Sequence, residues 1–254
     1  MIGEEPKAEG SWAGRRSLQL DDKPAFELSY WCGTCQFLFR RLEGSNATVS
    51  VAELEAALND GLDHIEDDVL VTFAGLLGRG TYIPLLLEIS PRLQLPGQDG
   101  DYFAQEQVQT WGLESFWGLP AYPRTPYYRT FETSVGADAH LYEFVAPMVP
   151  PSWNDTATVT RHAEDLARSS RPTAVAVATL DVCAPAEDHG QDYYDHWGLT
   201  HFLLDGHHKM QAAAQTGRPL RLLSLLSVEA SLADPDEVAR IITLRSQAGS
   251  SRPK

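Results

Sequence analysis

The chain has 254 residues, 43 % of them hydrophobic, and a formal net charge of −15. That is enough apolar material for one large domain or two small ones, and no apolar run approaches the length of a membrane span, so no membrane partner is expected. Twenty Lys and Arg residues face 35 Asp and Glu and form no long cluster, a balance that opposes a nucleic-acid backbone and gives no expectation of DNA binding.

Residues 1–23 lack apolar periodicity and are expected to be a flexible tail. The polar Met1 to Leu20 lacks the apolar stretch of a secretory signal, which makes a cytoplasmic location the expectation. Residues 24–95 form an N-terminal module. Ala25 to Tyr30 alternates like a strand and runs into Trp31-Cys32-Gly33-Thr34-Cys35, after which Phe37, Leu38 and Leu42 suggest a helix. Ser50, with Glu53 three residues on, has the form of a capping box for a helix reaching Leu58. Asp67 to Leu77 is a third helical segment, which makes the module mostly helical, and Tyr82 to Ile89 reads as a strand or a buried helix. Residues 96–144 are rich in Pro, Gly, Trp and Tyr without a clean period, and are expected to be an irregular connection, either a packed linker or the wall of a pocket. Residues 231–254 provide a C-terminal helix and tail.

The most informative stretch lies in residues 145–230. Leu199 to Leu204 approaches Asp205-Gly206 as a strand, and His207-His208-Lys209-Met210-Gln211 begins a run of helix formers. Thr216-Gly217-Arg218-Pro219 then stops the helix before a second apolar strand, Leu220 to Val228. Exposed N–H groups and the positive end of the helix dipole would meet an anion above this turn, and phosphate is the natural guest. Two histidines and a lysine stand where acidic residues are preferred, which an incoming anion would explain. The plainer reading is that His207 and His208 cap the helix and Lys209 is a solvated surface residue.

This β-turn-α-β unit resembles the ParB/sulfiredoxin superfamily, whose signature at the same turn takes the forms D-G-H-H-R or D-G-Q-H-R. Here it stands as Asp205-Gly206-His207-His208-Lys209. The likeness continues upstream in Val149-Pro150-Pro151-Ser152-Trp153-Asn154-Asp155, a helical Thr158 to Ser169, and Arg171-Pro172-Thr173 leading into the strand Ala174 to Val182. The resemblance implies an α+β fold with a small mixed sheet and a turn that holds nucleotide phosphates, with Asp205, Gly206, His207, His208 and Lys209 as binding residues. Lys209 departs from the family's arginine and exchanges a bidentate fork for a point charge. His207 stands where sulfiredoxins carry their reactive cysteine, so sulfinic-acid reduction has no thiol in this turn. The family's kinases place a catalytic acid near the start of the domain, for which Asp155 is the nearest residue; Asp155 equally suits the N-cap of the following helix.

Two further features carry chemistry. Cys32 and Cys35 are similar in local context to the W-C-G-x-C redox motif of thioredoxin-like proteins, and their spacing equally supplies two of four ligands to Zn²⁺. A pair of inert, partly buried thiols is the third possibility. Between the strands near Val182 and Leu199 lie Glu187, Asp188, His189, Asp192, Asp195 and His196, flanked by Asp181 and Asp205. This is either a solvated loop or a source of carboxylates for Mg²⁺ beside the phosphate turn.

The sequence therefore points to a nucleotide-dependent phosphotransferase-like enzyme acting on a small metabolite. It would take ATP or ADP with Mg²⁺, with His207, His208 and Asp155 as catalytic residues. The alternative is a non-catalytic nucleotide-binding or interaction protein with a zinc or redox C-x-x-C module.

Overall fold

The structure is a computed structural model that describes residues 2–5, 15–20, 22–29, 33–46, 52–111, 124–185 and 194–249. Its centre is a seven-stranded mixed sheet made of β5 (Tyr82–Ile89), β6 (Arg92–Gln94), β7 (Tyr127–Ser134), β8 (Ala139–Pro147), β9 (Thr173–Cys183), β10 (Asp195–Asp205) and β11 (Leu220–Ser227), in the order β5-β11-β9-β10-β8-β7-β6. β10 runs parallel to β8, and β11 parallel to β9; the other neighbours are antiparallel. The inner strands read as nearly unbroken apolar runs because both faces are covered.

Alternation along β9 separates the two layers. Ala174 and Ala176 pack with α4 (Thr156–Ala167) and α5 (His207–Thr216), while Ala178 and Leu180 pack with α6 (Pro235–Gly249). On the other face, Val175 meets α1 (Glu55–Asp60) and α2 (Asp67–Ala74), and Val177 meets the N-terminal strands. Those strands, β1 (Ile2–Glu5), β2 (Arg15–Leu20), β3 (Lys23–Leu28) and β4 (Phe39–Arg41), form a second, antiparallel sheet in sequence order.

An α+β class is thus observed, with several departures from the sequence expectations. The expected tail, residues 1–23, includes β1 and β2. Leu18 is buried in the core there, and Arg16 is buried because an acid partner awaits it, a pairing invisible to a search for apolar periodicity. The N-terminal module is not mostly helical: after Cys35 the burial of Phe37 and Phe39 follows the period of a strand, and β4 forms where a helix was expected. α1 starts at Glu55 with no side-chain cap, so Glu53 lies in a 3-10 turn; Ser50 falls outside the described residues. Tyr82 to Ile89 is a strand.

The described part of residues 96–144 is not an irregular connection. It contains α3 (Glu106–Trp111), β7 and most of β8, whose Tyr127, Tyr128, Tyr142 and Phe144 are core residues. Trp117 and Tyr122 lie outside the described residues. Because β5 to β11 share one sheet, the segments 24–95, 96–144 and 145–230 contribute to a common core instead of separate modules. No helix among the described residues is long and apolar enough to cross a membrane.

Candidate functional site

The chain leaves β10 at Asp205, turns at Gly206 and enters α5 at His207, as the strand-turn-helix pattern requires. Gly206 has φ 89° and ψ 26°, in the left-handed region, and a Cβ there would lie 2.7 Å from Ala174 Cβ. Both facts demand glycine. At the far end Gly217, with φ 63°, terminates α5 in the same conformation. Among the described residues, no side chain caps the first turn of α5, so the N–H groups at its dipole-positive end are left for a ligand or water.

That helix end borders a cleft of about 360 Å³ at the C-terminal ends of β8 and β10. Asp205 to Lys209 form one side. α4 contributes Thr158, Arg161 and His162, and α1 contributes Glu55, Leu58 and Asn59; in each case the spacing of three and four residues puts the three side chains on one helical face. Trp153 and Asn154, on the turn before α4, complete the rim. Across the chain acids outnumber Lys and Arg by 35 to 20, yet here Arg161 and Lys209 match Glu55 and Asp205. The helix dipole is added to that balance, and three imidazoles also line the cleft, of which burial lowers the pKa of His162 and His207.

The predicted binding residues meet at this cleft but do different work. Lys209 is buried, and its Nζ donates to the carbonyls of Leu58, at 3.3 Å, and Thr173, at 3.1 Å. Burial lowers its pKa, with Asp205 and Glu55 opposing. It ties α1 to β9 across the floor of the cleft, so the expectation of a surface lysine is corrected. His207 is also buried; burial, then His208 and Arg41, push its pKa down to about 4, which leaves the ring neutral near pH 7. Among the described residues its Nε2 has no hydrogen-bond partner, an unusual state for a buried polar atom. The Nε2 of His208 accepts the Asp155 N–H at 3.1 Å. Burial raises the pKa of Asp205, against the pull of Lys209 and a hydrogen bond from the Gly206 N–H.

Asp155 itself does not line the cleft. Its carboxylate accepts the Thr158 N–H at 2.7 Å and caps α4, which also holds its pKa below the ordinary value. The geometry thus matches the N-cap reading, and the carboxylates that face the cleft are Glu55 and Asp205. Glu55 was not singled out from the sequence because it lies about 150 positions from the turn, on a helix whose local pattern says nothing of the cleft. The Thr158, Arg161, His162 spacing was legible but silent about its target.

Cys35 is disulfide-bonded, and a disulfide sulfur is not a thiolate available to zinc; Cys32 lies outside the described residues. Among the described residues no group of three or more His, Cys, Asp or Glu could hold a metal ion. Cys183 is a free buried thiol whose pKa burial raises. In the acidic loop, Glu187, Asp188, His189 and Asp192 lie outside the described residues. Asp181 is engaged by Arg16, and His196 is packed among aromatic rings with its Nδ1 2.7 Å from Tyr102 Oη. Neither is a free ligand beside the Asp205 to Lys209 turn.

Comparison of the chain with protein-family models, curated proteins and solved structures finds no match.

Proposed function

We propose that the cleft binds the phosphates of ATP or ADP at the N-terminus of α5, and that the protein is a nucleotide-dependent phosphotransferase acting on a small metabolite. The observation that carries this reading is the uncapped first turn of α5 opening into a cleft with Arg161, His162 and His208 around it. Backbone N–H groups and the dipole favour an anion, and Arg161 adds a fork suited to phosphate oxygens. The ParB/sulfiredoxin resemblance of the same five residues points to the same ligand.

Of the expected catalytic residues, His208 lines the cleft where the phosphates would sit, whereas His207 is neutral with its Nε2 buried and would reach a ligand only if its surroundings shifted. The group that would accept a proton from an acceptor hydroxyl is Glu55 or Asp205, because both border the cleft whereas Asp155 caps a helix. Glu55, Asn59 and Asp205 offer the oxygen donors that Mg²⁺ prefers, and the ion would neutralise charge on the phosphates as they are transferred.

Calorimetric titration of the folded protein with Mg·ATP and Mg·ADP tests the site, and a mass-spectrometric screen with pooled metabolites tests the transfer. Binding with turnover is expected. Binding without turnover would favour a non-catalytic nucleotide-binding protein, and absence of binding at millimolar nucleotide would remove both readings.

A further inference from the structure

Trp153 is 64 % exposed, yet it stands on the rim of the cleft. The short turn that carries it is stiff. Pro150 and Pro151 lead into it, the Trp153 N–H donates to the Pro150 carbonyl at 2.9 Å, and the Asn154 N–H donates to the Pro151 carbonyl at 3.2 Å. The Asn154 side chain then fastens the turn to α5: its Nδ2 lies 3.2 Å from the His207 carbonyl oxygen and 2.7 Å from Gln211 Oε1. A largely exposed indole is therefore carried on a braced stretch of backbone, one residue from the group that hydrogen-bonds the start of α5.

A single exposed apolar side chain is ordinary on a protein surface. Here the position and the bracing distinguish it, since the ring fills no core and its support is linked to the helix end that attracts anions. A flat ring carried on a braced stretch of backbone at the rim of the cleft suits a ligand that carries a planar ring at a short distance from its phosphates. We propose that Trp153 is the platform on which the base of the nucleotide stacks while the N-terminus of α5 holds its phosphates. The proposal rests on the phosphate reading of the cleft and adds the determinant that separates a nucleotide from a bare polyphosphate. Stacking is tolerant of base identity because every base has a π-face, so the selectivity is for a base over none.

The test is calorimetric titration of the full chain, with Mg²⁺ present, using ATP and inorganic tripolyphosphate as probes. Wild-type protein is expected to bind ATP about tenfold more tightly than tripolyphosphate, within the range that base stacking on an aromatic side chain provides. Trp153→Ala should bring ATP to the level of tripolyphosphate while changing tripolyphosphate by less than about twofold. Trp153→Phe, which keeps a flat ring, should retain most of the ATP affinity, and thermal unfolding of each variant confirms that it is folded. The proposal is overturned if Trp153→Ala binds ATP as wild type does, or if tripolyphosphate weakens as much as ATP, since the residue would then shape the turn and not hold a base. Wild-type protein that binds neither probe overturns the phosphate reading itself, a result distinct from the other two because each of them requires wild-type protein to bind at least one probe.

Discussion

Arg16 and Asp181 form a buried bidentate ion pair, with Arg16 Nη1 3.0 Å from Asp181 Oδ2 and Nη2 2.9 Å from Oδ1. The pair joins β2 of the N-terminal sheet to β9 of the central sheet. Arg16 also donates to the carbonyls of Ser29 and Ala230, and Asp181 accepts the Leu232 N–H. Removing one member of such a pair leaves a desolvated charge, whereas removing both need not cost stability. Arg16→Met should therefore destabilise the protein by about 3–5 kcal/mol, and Arg16→Met with Asp181→Leu should recover most of that. Urea unfolding of the three proteins measures it; an unchanged midpoint in Arg16→Met would show that the sheets are joined by other contacts.

Lys209 gives a second prediction, because its ammonium is committed to Leu58 and Thr173. Lys209→Met should lower stability by about 2–3 kcal/mol, in line with the loss of charged hydrogen bonds. His208→Ala, at a partly buried residue, should cost less than about 1 kcal/mol while weakening ATP more than Lys209→Met does. If Lys209→Met instead unfolds like wild type and loses ATP, the lysine contacts phosphate directly.

Gly206 is set by two independent constraints, and a pair of variants separates them. Gly206→Ala carries the left-handed penalty of about 1–2 kcal/mol together with the close approach to Ala174. Ala174→Gly in the same chain removes the nearest atom, the Cβ at 2.7 Å, and leaves the Ala174 Cα at 3.0 Å together with the left-handed penalty. The double variant should thus be more stable than Gly206→Ala alone by thermal unfolding. Equal midpoints would mean that α5 shifts away from β9 at no cost.

The segments that could be read from the sequence are those whose local pattern and tertiary environment agree. The strand into Asp205, the glycine turn, α5 and its stop at Gly217 follow from apolar runs and glycine chemistry over about twenty residues, and the structure contains each of them. What escaped was non-local. Arg16 makes β2 a core strand only through an acid 165 residues away. His201, Glu143 and Ser224 sit within buried strands because they answer one another: His201 Nδ1 lies 2.7 Å from Ser224 Oγ, and Thr130 and Arg245 hold Glu143. A polar residue inside an apolar run signals such a network without naming its members. The cleft divides in the same way, with the Asp205 to Lys209 side local in sequence and the Glu55, Arg161 and His162 sides supplied by the fold.

Buried histidines are expected to contribute acid sensitivity, His196 and His207 with the largest shifts. Burial pushes His196 down to about 3, with His140 adding to the effect, and His207 down to about 4. In the unfolded chain both recover the ordinary histidine value of about 6.5. Below that value the unfolded chain binds more protons than the folded one, so stability is intact above about pH 6.5 and declines as pH falls towards the folded values. Burial disfavours the Glu143 carboxylate, yet Arg245, His201 and Thr130 hold its pKa below the usual carboxylate value, so its contribution is lost only as pH falls below about 4.5. The histidine window therefore opens first. Urea midpoints measured at steps from pH 7.5 to 4.5 should fall steadily below pH 6.5. His207→Gln and His196→Gln should each flatten that decline, whatever they do to the midpoint at pH 7.5, because glutamine takes up no proton. A profile that stays level to pH 4.5 in the wild-type protein, or the same decline in both variants, would show that neither ring is held neutral by the fold.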